Sequence, residues 1–132
     1  MMRKLSGFHD AELIGVGWDP VDATLTLEFL SEGRKEKKVM KFSGVAEFRL
    51  VDFINQNVVH DIKILSGQDE VAESVTHFIK WMLTLSDRAE FSETKEIDDY
   101  VSKIKKGDIL LCVLNPSWGC DAVVAAREYE VL

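Results

Sequence analysis

The stretch LIGVGWDPVDATLTLEFL, residues 13–30, carries the clearest structural pattern in this sequence. Residues 24–30 alternate strictly between apolar and polar side chains, so one face of a strand would carry Leu25, Leu27 and Phe29. Residues 19–22 read DPVD, with Asp and Pro at the two positions where a β-turn favours them. The stretch therefore predicts a β-hairpin with strands over 13–18 and 24–30.

Similar alternation predicts further strands at 37–42, 45–50, 58–65, 109–114 and 122–131. A loop over 115–119 would join the last two of these strands. On the strand over 58–65, His60 falls on the same face as Val58, Ile62 and Ile64, which is typical of a core histidine. Trp18 and Trp81 also fall on predicted strands, and we interpret both as core residues.

Residues 71–85 fit two patterns. An apolar stripe from Val71 to Met82 recurs at helical spacing, whereas alternate residues over 75–85 are largely apolar. Because β-branched and aromatic side chains favour a pleated surface, we interpret 75–85 as a strand, followed by a short strand over 89–92. A helix remains the alternative.

The clearest helix is predicted over 94–106. Acidic residues crowd its start and lysines its end, which suits the helix dipole, and Gly107 stands where a C-terminal cap is expected. Consecutive strands with short turns and a late helix predict an α+β fold, with an antiparallel, hairpin-rich sheet packed against one or two helices.

Length and composition indicate a single domain over 1–132. Hydrophobic residues make up 46% and charged residues 30% of the 132 positions, an ordinary globular balance. The net charge of −7 disfavours a nucleic-acid partner, and no apolar run is long enough to predict a membrane helix. Two cysteines without an export signal favour free thiols and a cytoplasmic location.

His9 and Asp10 place an imidazole beside a carboxylate just before the first strand of the hairpin. Together with Cys120 they could serve a small enzyme or a ligand-binding domain, if the fold brought all three together. A metal site needs three or four converging ligands, and the sequence predicts no such set. The sequence predicts no catalytic residue and no cofactor.

Trp118 and its neighbour Ser117 occupy the loop between the last two predicted strands. Tryptophan in a loop is often an anchor at a protein interface; the alternative is that Trp118 packs back over the sheet. Acidic residues concentrate over 87–99, where Glu93, Glu96 and Asp99 could steer a basic partner. The function that we predict is therefore a non-enzymatic protein-binding module.

Four short motifs are spread along the chain: FHDAEL at 8–13, FSGV at 42–45, NVVHDI at 57–62 and PSWGC at 116–120. In these motifs the chain resembles small bacterial cytosolic domains of uncharacterised function, some of which are immunity proteins that neutralise secreted toxins. The resemblance implies a mixed sheet-and-helix fold and a binding role, and it assigns no catalytic residue.

Overall fold

A computed structural model describes residues 2–68, 70 and 72–132, and within them the chain forms nine β-strands and two α-helices. The strands are Met2–Lys4 (β1), Glu12–Asp19 (β2), Thr24–Leu30 (β3), Lys37–Ser43 (β4), Glu47–Val51 (β5), Val58–Leu65 (β6), Leu110–Trp118 (β7), Asp121–Ala126 (β8) and Glu128–Val131 (β9). The helices are Ala72–Leu83 (α1) and Thr94–Lys106 (α2). Neighbouring strands pair antiparallel, which confirms the predicted α+β class.

The hairpin predicted over 13–30 is present as β2 and β3. Asp19 closes the turn, because its Oδ1 accepts hydrogen bonds from the backbone N–H groups of Val21 and Asp22, at 2.9 and 3.3 Å. The predicted inward face of β3 is buried in full, at Leu25, Leu27 and Phe29.

The sheet curls strongly along the strand order β5-β8-β7-β6-β2-β3-β4-β9, while β1 pairs with β6 beside this path. One residue, Arg127, separates β8 from β9, yet β8 pairs with β5 and β7 while β9 pairs with β4. The chain thus crosses at Arg127 from one half of the sheet to the other, which requires the two halves to face each other.

Strands β7 and β8 are buried on both faces. Cys112 and Leu114 point into an inner core between the two halves of the sheet, whereas Leu111 and Val113 point toward the helices. There they join a helix-side core that includes Val75, Ile79, Met82, Ile97 and Ile104. Burial on both faces explains why β7 begins with an uninterrupted apolar run.

The strand interpretation of 75–85 is wrong, because residues 72–83 form α1, and residues 89–92 are not a strand either. Val75, Ile79 and Met82 lie on one helical face and are buried against the sheet. Burial of this stripe outweighs the β-propensity of the individual residues. Val71, at the start of the predicted stripe, lies outside the described residues.

The helix predicted over 94–106 is confirmed as α2. Gly107 ends it in the left-handed conformation, with φ of 81°, and its N–H donates to the carbonyl of Ile104 at 3.0 Å. Lysine side chains in the last turn face the negative end of the helix dipole, as the sequence indicated.

The predicted inward position of His60 is wrong. The pairing of β6 with β7 shifts register between Val59 and Asp61, as a β-bulge does. Alternation breaks at this point, so Val59 and Ile62 face the inner core while the His60 side chain is 53% exposed.

Two further expectations fail. Strand β7 continues through Trp118, so the loop predicted over 115–119 shrinks to Gly119 and Cys120. Trp18 is 43% exposed, because β2 diverges from the rest of the inner core at this end, and Trp81 lies partly buried on α1.

Candidate functional site

The two halves of the sheet open at the end of the molecule where β2 leaves β6. The strands pair at Glu12 and Val58, after which β2 continues alongside β3 alone. Trp18 near the end of β2 then meets Phe48 of the edge strand β5, with ring centroids 4.9 Å apart in an edge-to-face arrangement. The mouth of the inner core therefore lies between β2 and β5.

Asn57 holds this end of the molecule together. Its buried side-chain amide donates to the carbonyls of Leu13 and Ile54, at 3.1 and 2.8 Å. Its Oδ1 accepts from the backbone N–H groups of Ile54 and Cys120, at 2.9 and 3.1 Å. A single side chain thus joins β2, the loop over 52–57 and the turn between β7 and β8.

Gly119 is required by this arrangement. Its φ is 81°, a left-handed conformation that favours glycine. A Cβ at this position would come within 2.6 Å of both Asn57 Oδ1 and the Gln56 carbonyl oxygen. The turn that follows Trp118 is therefore packed directly against the loop over 52–57.

Six large apolar side chains are exposed along β2, in the loop over 52–57 and at the end of β7, and we call this set the end surface: Ile14, Val16, Trp18, Phe53, Ile54 and Trp118. Each is between 40% and 61% exposed. Val16 and Trp18 lie opposite the buried Leu27 and Leu25, so they continue the inward face of β2 beyond the point where the core covers it. Large exposed apolar side chains mark interaction sites where they form one continuous patch.

The end surface is bordered by carboxylates. Asp52 and Asp121 lie near Cys120, where burial raises the pKa of the thiol to about 11 and the charge of Asp121 contributes. Desolvation also raises the pKa of the Asp121 carboxyl; the charge of the nearby Arg49 lowers it, and that of Asp52 raises it. Two carboxylates and one guanidinium group therefore lie near this part of the end surface.

Cys120 and His9 do not come together. Cys120 is 1% exposed and belongs to the inner core, whereas the His9 side chain is 67% exposed. Within residues 2–68, 70 and 72–132, no hydrogen bond or ion pair joins Cys120 to His9 or Asp10. The three side chains therefore do not form the shared site that an enzyme built on them would need.

Both cysteines are free and buried, and we expect them to be unreactive in the folded protein. Burial raises the pKa of Cys112 from 9.0 to about 12 and that of Cys120 to about 11. At pH 8 the thiolate fraction of Cys120 should be roughly 100-fold lower than that of a cysteine with an ordinary pKa. Its reaction with Ellman's reagent should be slower than that of such a cysteine by at least the same factor. Absorbance measured before and after addition of denaturant tests this, and a rapidly labelled native Cys120 would instead indicate an activated thiol.

His9 joins a separate polar cluster with His60. Its Nδ1 lies 2.9 Å from the His60 carbonyl oxygen, its Nε2 lies 3.6 Å from Asp10 Oδ2, and the two imidazole centroids are 5.6 Å apart. The bond to the His60 carbonyl, followed by the charge of Asp10, raises the pKa of His9 above 6.5. His9 and Asp10 are thus brought together, as their adjacency in the sequence suggested.

Glu93, Glu96 and Asp99 lie at the start of α2, and Glu96 is near the start of β7, far along that strand from Trp118. Glu96 lies close enough to raise the pKa of Glu47, although desolvation is the main cause of that shift. Glu47 pairs through β8 with the start of β7, and seven residues of β7, about 23 Å, separate that point from Trp118. Ser117 is exposed beside Trp118.

Two kinds of feature are absent from the described part of the chain. No group of three His, Cys, Asp or Glu side chains is arranged there to hold a metal ion. None of the described helices has the length and apolar character to cross a membrane.

Sequence reasoning missed most of the end surface. Phe53 and Ile54 stand directly before the polar run Asn55-Gln56-Asn57, and two large apolar residues at the start of a loop are the signal that could have identified them. The exposure of Ile14 and Val16 depends on where β2 leaves β6, which no local pattern encodes.

Comparison with known proteins adds only a likeness of fold. No family model matches the chain, and no curated protein matches it. The chain is similar to a solved structure described as an uncharacterized protein from Neisseria gonorrhoeae, with a TM-score of 0.57 and 13% sequence identity. The match covers 99% of this chain and 96% of that one. At this identity the likeness concerns the fold alone.

Proposed function

We propose that this protein is a non-enzymatic protein-binding module that docks a basic partner through the end surface. The observation that carries this proposal is the exposure of six large apolar side chains along β2, in the loop over 52–57 and at the end of β7. Trp118 is the natural anchor, because it is 61% exposed and tryptophan dominates the energetics of many interfaces. Gly119 and Asn57 hold the turn that follows Trp118 in one conformation.

The chemistry of the partner follows from the border of the end surface. Asp52 and Asp121 flank the apolar centre, and the whole chain carries a net charge of −7. A complementary surface would present an apolar side chain ringed by Lys and Arg. A nucleic acid does not fit this description, because its phosphates would be repelled.

Neutralisation of a toxin is the binding role that we favour. A toxin that acts on nucleic acids needs a basic surface to bind phosphates, and an acidic inhibitor complements such a surface. The motifs at 8–13, 42–45, 57–62 and 116–120, which resemble those of immunity proteins, support the same role. Such an inhibitor would act in the cytoplasm.

Replacement of Trp118 tests the proposal. A partner recovered by pull-down from the native host is titrated by calorimetry and surface plasmon resonance. Trp118→Ala should weaken binding by about 2 kcal/mol, roughly 30-fold in Kd, because the substitution removes the side chain that would fill a pocket on the partner. Most of this loss should come from faster dissociation.

Leu85→Ala is the matched control, since Leu85 is 64% exposed but lies beyond α1, outside the end surface. It should leave Kd unchanged. Asp52→Asn with Asp121→Asn should slow association at low salt more than the triple replacement of Glu93, Glu96 and Asp99 by Ser, because screening weakens distant charges. Equal losses from Trp118→Ala and Leu85→Ala would contradict the proposed docking site.

A further inference from the structure

A cavity lies between β6 and the N-terminal segment that precedes β2. The N-terminal segment runs beside β6, with hydrogen bonds from Leu5 N to Ile62 O and from Asp10 N to Val59 O, at 2.8 and 2.9 Å. Between these two bonds Phe8 is buried in the inner core, whereas Ser6, Gly7 and His9 line the cavity. The cavity measures about 390 Å³ and is lined by Lys4, Leu5, Ser6, Gly7, His9, His60 and Asp61.

Asp61 is the unusual residue of this cavity. Its side chain is 9% exposed, and its Oδ1 is buried without a hydrogen-bond partner in the described part of the chain. The other oxygen, Oδ2, lies 3.8 Å from both Lys4 Nζ and His60 Nε2, which is too far for a hydrogen bond. Buried carboxylates are normally hydrogen-bonded, because an unpaired charged acceptor costs several kcal/mol.

The chemistry that Asp61 lacks is a cationic donor. A carboxylate accepts hydrogen bonds and donates none, so its complement is an ammonium or guanidinium group. Lys4 already brings an ammonium group toward Oδ2, but its side chain is 65% exposed and lies beyond hydrogen-bond distance. Lys4 thus marks the side from which a cation can approach Asp61, although its own ammonium group forms no hydrogen bond with that carboxylate.

We infer that this cavity binds a small organic cation, whose ammonium or guanidinium group replaces Lys4 at Asp61. The cavity volume lies within the range of small-molecule sites, roughly 300–1,000 Å³. The imidazole rings of His9 and His60, 5.6 Å apart, and the Leu5 side chain border the space that the organic part of the ligand occupies. This inference is independent of the end surface and of any protein partner.

Agmatine, a butyl chain with an ammonium and a guanidinium group, is the probe. Titration followed by NMR should shift the amide resonances of His60 and Asp61 with a Kd of about 1 mM or tighter. N-butylurea, a neutral analogue, should cause no shift. Asp61→Asn should weaken agmatine binding about ten-fold or more, because it removes a charge-assisted hydrogen bond.

Lys4→Met should change the affinity for agmatine in the direction opposite to Asp61→Asn. Removal of the competing ammonium should tighten agmatine binding by about two- to five-fold, the scale of an exposed ion pair. His77→Gln, a histidine replacement on α1, should change nothing. The inference is wrong if agmatine and butylurea behave alike, if Asp61→Asn binds agmatine as well as the parent, or if Lys4→Met weakens binding. Binding of Zn²⁺ in place of agmatine would also overturn it, since the ligand would then be a metal ion.

Discussion

Leu27→Ala should lower the free energy of unfolding by about 2–5 kcal/mol. Leu27 is 1% exposed in the middle of β3, between Val16 of β2 and Met40 of β4. It belongs to the inner core, whose side chains come from both halves of the curled sheet. Because strands border it on both sides, the cavity left by truncation cannot collapse easily. Urea titration followed by circular dichroism measures the loss.

Thr26→Ala is the matched control for Leu27→Ala. Thr26 precedes Leu27 on the same strand, lies opposite Gly17 and Lys41, and points away from the inner core. We expect a change within about 1 kcal/mol, which is typical of sites away from the core. Equal losses at the two positions would mean that β3 does not face the inner core as described.

The hairpins and α2 could be predicted because their signals are local. Strict alternation over 24–30 determines which face of β3 is buried, and Asp19 caps its turn with its own side chain. The charges and Gly107 that delimit α2 act within one turn of the helix ends. Such features can be predicted without knowing what packs against them.

Helix α1 and the bulge in β6 could not be predicted because tertiary contacts decide them. Residues 75–83 satisfy both periodicities, and packing of Val75 and Ile79 on the sheet selects the helix. In β6, alternation assigns His60 to the core, but the register shift between Val59 and Asp61 turns it outward. A bulge leaves no local signature in a strand this apolar.

The candidate site was predictable only in part. Trp118 was identified because a tryptophan in a predicted loop is often an interface anchor; it lies instead at the end of β7, where it is 61% exposed. The other members of the end surface come from β2 and from the loop over 52–57, segments distant in sequence that Asn57 joins to the turn after β7. Asp61 was overlooked because its lack of a hydrogen bond is a property of the folded state.

Asn57→Ala should cost about 2–4 kcal/mol of stability, although it removes a polar side chain. The truncation leaves four backbone groups without their partner: the N–H and C=O of Ile54, the C=O of Leu13 and the N–H of Cys120. Leu13 and Cys120 are each 1% exposed, so water cannot readily replace the lost bonds at these two residues. Urea titration gives the loss, and amide hydrogen exchange at Cys120 and Ile54 should accelerate.

The same substitution should weaken binding of the partner without removing a contact residue. Asn57 fixes the loop that carries Phe53 and the turn that follows Trp118, so its loss would let both side chains reorient. An anchor that must be ordered on binding contributes less affinity. Gln56→Ala, at the exposed neighbouring position, is the control and should alter neither stability nor binding. If Asn57→Ala matches Gln56→Ala in both measurements, Asn57 does not organise the end surface.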